Sequence, residues 1–306
     1  MMNTNWEKTG SLLCVVALAI AAASCNKTSS SAGTDDKSGL TQEETALREK
    51  TRQVAAETLG LALTGKTEAG HSANFSGLRT ENLTFTQRLD SRTYITYDKR
   101  FSQITKTGMY KEPDEALLKR SADLLERLKI PRGEVETEKV LQEKMRVGER
   151  DLKSGKVRLE AVEDGKKYAL TTRQIAGVPV FSSRAMIGLL PGGEIGFLEV
   201  HWPEIPAKVT EESQRYRQIV EKKWRAPERK GTRVESVTAG ILHSPAAATA
   251  MDSYAVIRVI YAPLDKRVGK KPVEYFDAEG KSITMPRTLL EPPREELRTE
   301  RPAATK

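Results

Sequence analysis

Residues 185–202 read AMIGLLPGGEIGFLEVHW, and this stretch decides the fold. Two apolar runs, 185–190 and 195–202, flank the four-residue turn sequence PGGE. Glycine and proline in a short loop between two β-forming runs are typical of a β-hairpin. The stretch therefore predicts two antiparallel strands.

An amphipathic helix precedes this hairpin. Pro113 stands at its start and acidic residues fill its first turn, as is common at helix N-termini. Its apolar face consists of leucines at helical spacing: Leu117, Leu118, Leu124, Leu125 and Leu128. The helix is expected to end near Ile130-Pro131.

The segment between this helix and the hairpin has β character. Residues 135–147 fit either a strand or a helix. Residues 157–161 and 168–175 alternate around Asp164-Gly165, which predicts a further hairpin with its turn at that dipeptide. Residues 112–206 are thus expected to form one α+β module.

The order is repeated in residues 207–286, the expected second module. A helix starts near Lys208 and is followed by predicted strands at 234–242, 254–261, 273–276 and 281–285. The predicted apolar face of the helix holds Tyr216, Ile219, Val220 and Trp224. The chain therefore predicts an α+β fold of antiparallel sheets packed on helices, with a pattern that fits tandem α-β-β-β units.

The segment 41–111 gives weaker signals. Thr41 and Glu44 form a capping-box pattern that predicts a helix with a thin apolar face. Residues 65–92 show no period and are expected to form a long polar loop, while residues 93–97 predict a short strand. Residues 287–306 are rich in proline and charge and are expected to be a disordered tail.

Composition excludes several protein classes. The chain has 306 residues, 50 Lys and Arg against 42 Asp and Glu, and 38% hydrophobic residues, which suffices for about two folded domains. Its one long apolar run lies at the N-terminus, so a multi-span membrane protein is excluded. Two cysteines exclude a disulfide scaffold.

The N-terminus has the features of an export signal. Residues 11–24 read SLLCVVALAIAAAS, too short for a membrane span but suited to a signal peptide over 1–24. The run ends in Ala22-Ala23-Ser24-Cys25, which resembles the lipobox of bacterial lipoproteins. The resemblance implies that Cys25 carries a lipid and anchors the chain in the cell envelope. Ordinary signal cleavage, which would leave Cys25 as a free thiol, is the alternative.

Residues 25–40 form the expected tether between the anchor and the folded body. They are rich in Ser, Thr, Gly and Asp and too poor in apolar side chains to fold. In lipoproteins of Gram-negative bacteria, a residue other than Asp after the lipidated cysteine usually permits sorting to the outer membrane. Asn26 fits that location if the cell is Gram-negative.

Enzyme motifs are missing from the sequence. It contains no H-E-x-x-H, G-x-S-x-G, G-x-G-x-x-G or Walker loop. The three histidines, His71, His201 and His243, lack the spacing of metal ligands. No metal, cofactor or catalytic residue is therefore predicted, and a hydrolase of unrecognised type that uses His201 and Glu204 is the alternative.

A family resemblance points to protein binding. Residues 174–180, QIAGVPV, followed by the hairpin, resemble the propeptide modules of thermolysin-type proteases and the related PepSY domains. Residues 275–283, YFDAEGKSI, are similar to the closing PepSY hairpin. Over residues 113–286 this resemblance implies a non-catalytic module that binds or restrains a protease or another envelope protein. An unrelated α+β fold is the alternative.

Two groups of residues are candidates for binding. His201, Trp202 and Glu204 lie at the end of a predicted strand, where they form either a binding rim or the edge of the core. The second group is a basic helix end in which residues 215–233 hold eight Lys or Arg and two Glu. Its candidate members are Arg215, Lys222, Lys223, Trp224 and Arg225.

The basic helix end has two interpretations. Each cation near an anionic lipid or wall polymer contributes about 1 kcal/mol to binding. Alternatively, Trp224 belongs to the core and the cations are a solvated helix face. Nucleic acid is not an expected partner, because no recognition motif accompanies the charge.

Overall fold

The computed structural model describes residues 41–72, 74–104, 113–150, 157–222, 224–244, 252–265 and 271–283, with 144–150 and 157–164 described by their backbone alone. These ranges contain the α-helices α1 (Gln42–Gln53), α2 (Lys99–Ser102), α3 (Asp114–Arg127) and α4 (Ala207–Lys222). A π-helical turn, Val54–Thr58, extends α1, and a 3-10 turn, Arg132–Glu134, follows α3. Among the helices in these ranges, none is long and apolar enough to cross a membrane.

Eleven strands of the described residues form one sheet. They are β1 (Glu68–His71), β2 (Phe75–Arg79), β3 (Leu83–Arg88), β4 (Thr93–Asp98), β5 (Val135–Arg150), β6 (Val157–Ile175), β7 (Val178–Leu189), β8 (Ile195–His201), β9 (Thr232–His243), β10 (Ser253–Pro263) and β11 (Val273–Phe276). Their order is β1-β2-β3-β4-β8-β7-β9-β10-β11, with β6 also paired to β7 and β5 paired to β6. The fold class is α+β with a large, mostly antiparallel sheet, as the sequence predicts.

Strand β7 joins the two halves of this sheet. From Arg184 onward it pairs antiparallel with β8, whereas Val180 makes a parallel contact with β9. On its other edge β7 pairs with β6. There Val180 pairs with Arg173 and Arg184 pairs with the adjacent Thr172, so residues 181–183 have no partner in the register. Such a bulge bends a strand and redirects its side chains. One edge of β7 can therefore pair first with β9 and then with β8.

The two main helices agree with the prediction, apart from two apolar positions of α4, of which Trp224 lies beyond the last helical residue, Lys222. Buried Tyr216 faces the sheet from α4, where it packs with Ala239 and Ile257. Ile219, however, is 39% exposed, so its predicted place in the apolar face is wrong. Ser213, one turn before Tyr216, is buried instead.

The predicted loop at 65–92 is wrong, because this region forms β1, β2 and β3. The buried positions of β3 alternate, with Leu83, Phe85 and Gln87 inside and threonines between them. The strand predicted at 93–97 is confirmed as β4. The capping box of α1 is also confirmed, since the Thr41 hydroxyl accepts a 3.2 Å hydrogen bond from the N–H of Glu44.

The hairpin predicted at Asp164-Gly165 is wrong as well. Strand β6 continues through this dipeptide, because β5 pairs with it on both sides of that point. The segment 135–147 is accordingly a strand. The connection from β5 to β6 lies outside the described residues.

The end of the second module largely agrees with the prediction. Asp277 accepts a 2.8 Å hydrogen bond from the N–H of Lys281 through its carboxylate, and Gly280 adopts a positive φ of 84°, so the predicted turn forms. Of the strand predicted at 281–285, the described residues show one bridge, between Phe276 and Ser282. The module boundaries themselves stay a prediction.

Phe101 of α2 packs directly on two glycines of neighbouring strands. A Cβ added to Gly188 of β7 would lie 2.3 Å from the Phe101 ring, and one added to Gly196 of β8 would lie 2.6 Å from it. The ring also stacks at 6.1 Å on Phe197. The glycines thus provide the space for an aromatic side chain on the sheet face opposite α1 and α3.

We expect Gly188→Ala to lower the free energy of unfolding by about 1–3 kcal/mol, because the new methyl group overlaps Phe101 in a filled core. Urea denaturation measures this change. Gly133→Ala is the matched control, since nothing lies within 4 Å of a Cβ at that position. Equal stability of the two variants would contradict the packing described.

The turn between β6 and β7 is formed by Ala176 and Gly177. Their φ angles are 49° and 76°. Positive φ at both central residues defines a type I′ turn, which favours Asn-Gly. Alanine in this region costs about 1 kcal/mol, so Ala176 is the strained member of the pair.

Ala176→Asn is expected to raise the free energy of unfolding by about 1 kcal/mol, because asparagine tolerates positive φ. Thermal and urea unfolding both report the change. The same substitution in the middle of α3, Ala122→Asn, should lower stability by about 0.7 kcal/mol through helix propensity. A loss of stability at position 176 would refute the turn assignment.

Candidate functional site

A buried pair of histidines lies where the two halves of the sheet meet. His201 is the last residue of β8 and His243 is the last residue of β9. Their ring centroids are 4.4 Å apart, with His201 Nε2 3.1 Å from His243 Nδ1. The two residues are 4% and 2% exposed. The pair therefore belongs to the interior.

One backbone carbonyl accepts from both rings. The Ser244 oxygen is 3.1 Å from His201 Nε2 and 2.9 Å from His243 Nδ1. When both nitrogens donate to it, the remaining ring nitrogens accept from hydroxyls: His201 Nδ1 from Thr93 and His243 Nε2 from Ser183, each at 2.8 Å. This tautomer assignment gives every ring nitrogen a partner.

The β7 bulge supplies the serines around His243. Ser183 Oγ contacts the ring, while Ser182 Oγ accepts a 2.9 Å hydrogen bond from the His243 N–H. Both serines follow Val180, at which β7 touches β9. The bulge thus positions the hydroxyls that hold the histidine.

Arg173 closes the site on one side. Its guanidinium donates to the Pro203 carbonyl at 2.6 Å and to Ser183 Oγ at 3.3 Å. It also forms an ion pair with Glu134 at 2.8 Å, and Glu134 accepts a hydrogen bond from the Trp202 indole at 2.8 Å. Glu134 balances the charge of this buried arginine.

Both histidines are held in the neutral state. Burial lowers the pKa of His201 to about 4, helped by the nearby cations Arg88, Arg184 and Arg173. Burial lowers the pKa of His243 to about 3, with further contributions from His201 and Arg173. The carbonyl of Ser244 opposes both shifts but does not cancel them.

The Ser183, His243 and His201 contacts have the order of a nucleophile, a base and a group that orients the base. In this structure Ser183 is 3% exposed and Arg173 donates to its hydroxyl. A substrate carbonyl has no access to the Ser183 oxygen in that arrangement. The contacts fit a structural role, in which they link β7, β8 and β9.

The predicted strand-end residues separate in the fold. Trp202 is fully buried in the core between α3 and the sheet, which favours its interpretation as a core residue. Glu204 is exposed, and among the described residues no carboxylate contacts His201. His71 lies apart on β1, 3.6 Å from Glu44.

The basic helix end keeps its charges in solvent. Arg215, Lys222 and Arg225 are exposed, whereas Trp224 is half-buried and packs on Phe276 at 5.9 Å. Lys223 and Cys25 lie outside the described residues. The exposed cations fit either surface binding or simple solvation.

Sequence reasoning missed the pairing of His243 with His201. The two residues are 42 positions apart in the sequence. They meet only because β8 and β9 pair with successive parts of the same edge of β7. Each histidine does lie within one residue of the end of a predicted strand, 195–202 or 234–242, which is the one signal the sequence offers. Ser183 and Arg173 gave no signal, because a bulge and a buried ion pair depend on tertiary contacts.

Comparisons with known proteins name no function. No protein-family model matches the chain, and no curated protein matches it. The chain is similar to the crystal structure of an uncharacterised protein from Eubacterium rectale, with 11% sequence identity and a TM-score of 0.38. That match covers 80% of this chain and 83% of the other.

Acidification is expected to destabilise the protein through the histidine pair. In the unfolded chain both histidines take up a proton as the pH falls below 6.5. In the folded chain they stay neutral until the pH approaches their lowered pKa values, about 4 for His201 and about 3 for His243. Their contribution to stability is therefore complete above pH 6.5 and is lost as the pH falls. Each histidine should account for about 2 kcal/mol of loss between pH 7.5 and pH 5.

Urea denaturation at both pH values of wild type, His201→Asn and His243→Gln tests this expectation. Each variant should lose less stability on acidification than the wild type, whatever its stability at pH 7.5. His71→Gln, on exposed β1, is the control and should follow the wild type. An unchanged acid loss in both pair variants would show that other groups set the pH dependence.

Proposed function

We propose that this protein is a bacterial envelope lipoprotein that is anchored through a lipid on Cys25 and acts by binding rather than catalysis. The lipobox-like sequence at 22–25 and the apolar run before it support the anchor. The described body begins at Thr41, 16 residues after Cys25. Residues 25–40 are predicted from their composition to be a flexible tether, and such a chain of about 15 residues would reach about 20 Å, enough to hold the body beside a bilayer.

One observation carries the binding role. The Ser183, His243 and His201 contacts, which come nearest to a catalytic arrangement in the described residues, are under 5% exposed. Their hydrogen bonds are all used within the protein. The alternative of a hydrolase based on His201 and Glu204 has less support, because Glu204 is exposed while His201 is buried.

The arrangement of the second module supports a partner protein. After α4 come β9, β10 and β11, closed by the turn at Asp277 to Gly280. This order agrees with the PepSY resemblance, which implies binding or restraint of a protease or another envelope protein. The exposed cations Arg215, Lys222 and Arg225 favour a second candidate function, binding to anionic lipid or wall polymer.

Replacement of the lipid acceptor should release the protein. We expect Cys25→Ser to move the full-length protein from the membrane fraction to the soluble envelope fraction, because no acyl chain can then be attached. Fractionation and labelling with an alkyne fatty acid measure the two consequences.

Cys14→Ser provides the matched control for this substitution. Cys14 lies inside the predicted signal peptide, so its loss should leave labelling and fractionation unchanged. Retention of Cys25→Ser in the membrane with undiminished label would refute the proposed anchor.

A further inference from the structure

An arginine on the second half of the sheet stands on an aromatic platform. The Arg258 guanidinium carbon lies 3.9 Å from the centroid of the Phe181 ring, and Phe181 lies 6.1 Å from the ring of Tyr275. The platform forms because Gly240 leaves room for Phe181, since a Cβ at Gly240 would lie 2.4 Å from that ring. These side chains occupy the face of β9, β10 and β11 that points away from α4.

The position of this face follows from strand alternation. Ile257 and Val259, on either side of Arg258, belong to the apolar clusters that pack against α4 and the segment after it. Phe276, next to Tyr275, belongs to the same side. Arg258 and Tyr275 pair across β10 and β11 and therefore lie together on the opposite face.

Arg258 lacks the partner that a half-buried arginine normally has. Within the described residues it makes no hydrogen bond or ion pair, and its Nε is buried without an acceptor. Other half-buried or buried arginines of the sheet do have carboxylate partners, as Arg184 has Glu199 and Arg173 has Glu134. A guanidinium that is stacked and unpaired is prepared to receive an anion.

We propose that Arg258 binds a carboxylate carried by a partner protein, with the Tyr275 hydroxyl as an adjacent donor. This inference rests on the proposed binding function and names the site and the ligand chemistry. The guanidinium fork matches a carboxylate through two parallel hydrogen bonds, and stacking on Phe181 fixes the plane of the fork.

The charges around Arg258 favour a single negative charge over a phosphate dianion. One guanidinium faces the ligand, and Glu136 of β5 already acts on Arg258 electrostatically. A phosphate dianion would therefore meet more repulsion from Glu136 than a carboxylate does. Arg258 and Tyr275 are half-buried rather than enclosed, which suits a side chain presented by a partner's surface.

The test follows the side-chain Nε–H signal of Arg258 by NMR in the full-length protein, purified in neutral detergent. The probes are acetyl-Val-Glu-Val-amide, sodium acetate and inorganic phosphate, each titrated at constant ionic strength. The peptide should shift the signal in a saturable manner, with an affinity at least five-fold higher than those of acetate and phosphate. The signal is assigned by its loss in Arg258→Lys.

Two substitutions of Arg258 test whether binding needs the planar guanidinium group as well as its positive charge. Arg258→Lys and Arg258→Gln should each weaken peptide binding at least five-fold, followed through the amide signal of Tyr275, because neither side chain offers a planar pair of donors with a positive charge. Arg184→Gln is the matched control, since Arg184 is already paired with Glu199, and it should bind as the wild type does. Thermal unfolding confirms that each variant is folded.

Three results would overturn the inference. A shift that is absent or not saturable would remove the site. Tighter binding of phosphate would assign the site to a different anion, and equal affinity for acetate would assign it to small acids. Since the readout is local to Arg258 and Tyr275, these outcomes leave the lipid anchor, which is tested at Cys25, unaffected.

Discussion

The bulge at residues 181–183 is the constraint on which the rest of the structure depends. A regular β7 would keep one neighbour along its whole edge, but here the edge passes from β9 at Val180 to β8 at Arg184. The three unpaired residues absorb the change in direction and register. Without this bulge, the half of the sheet that packs on α3 and the half that packs on α4 would share no strand.

Hydrogen bonds at the bulge replace the ladder bonds that it interrupts. Ser182 and Ser183 bond the backbone and the ring of His243, and His243 contacts His201 at the end of β8. Buried polar groups are costly when unpaired and specific when paired. Neutral histidines suit this position, because each ring can donate on one side and accept on the other without a buried charge. The junction is thereby fixed in one register.

Local signals determined which elements could be predicted. The leucine face of α3 and the PGGE turn between β7 and β8 are complete within short segments, so the sequence predicts them well. Strands β2 and β3 escaped prediction because buried polar residues, Ser76 and Gln87, take positions where apolar residues would reveal the period. At Asp164-Gly165 the sequence predicts a turn, but β6 continues through this dipeptide because it pairs with β5 on both sides of it. The histidine pair needs three strands to be placed first, which no local pattern encodes.

The same bulge connects the buried pair with the face of the sheet that carries Arg258. Ser183 reaches the histidines, whereas Phe181, two residues earlier, reaches over Gly240 to Arg258. In a regular strand, residues two apart would point to the same face. The irregular backbone frees Phe181 from that rule and lets one short segment hold the core junction and build the arginine platform.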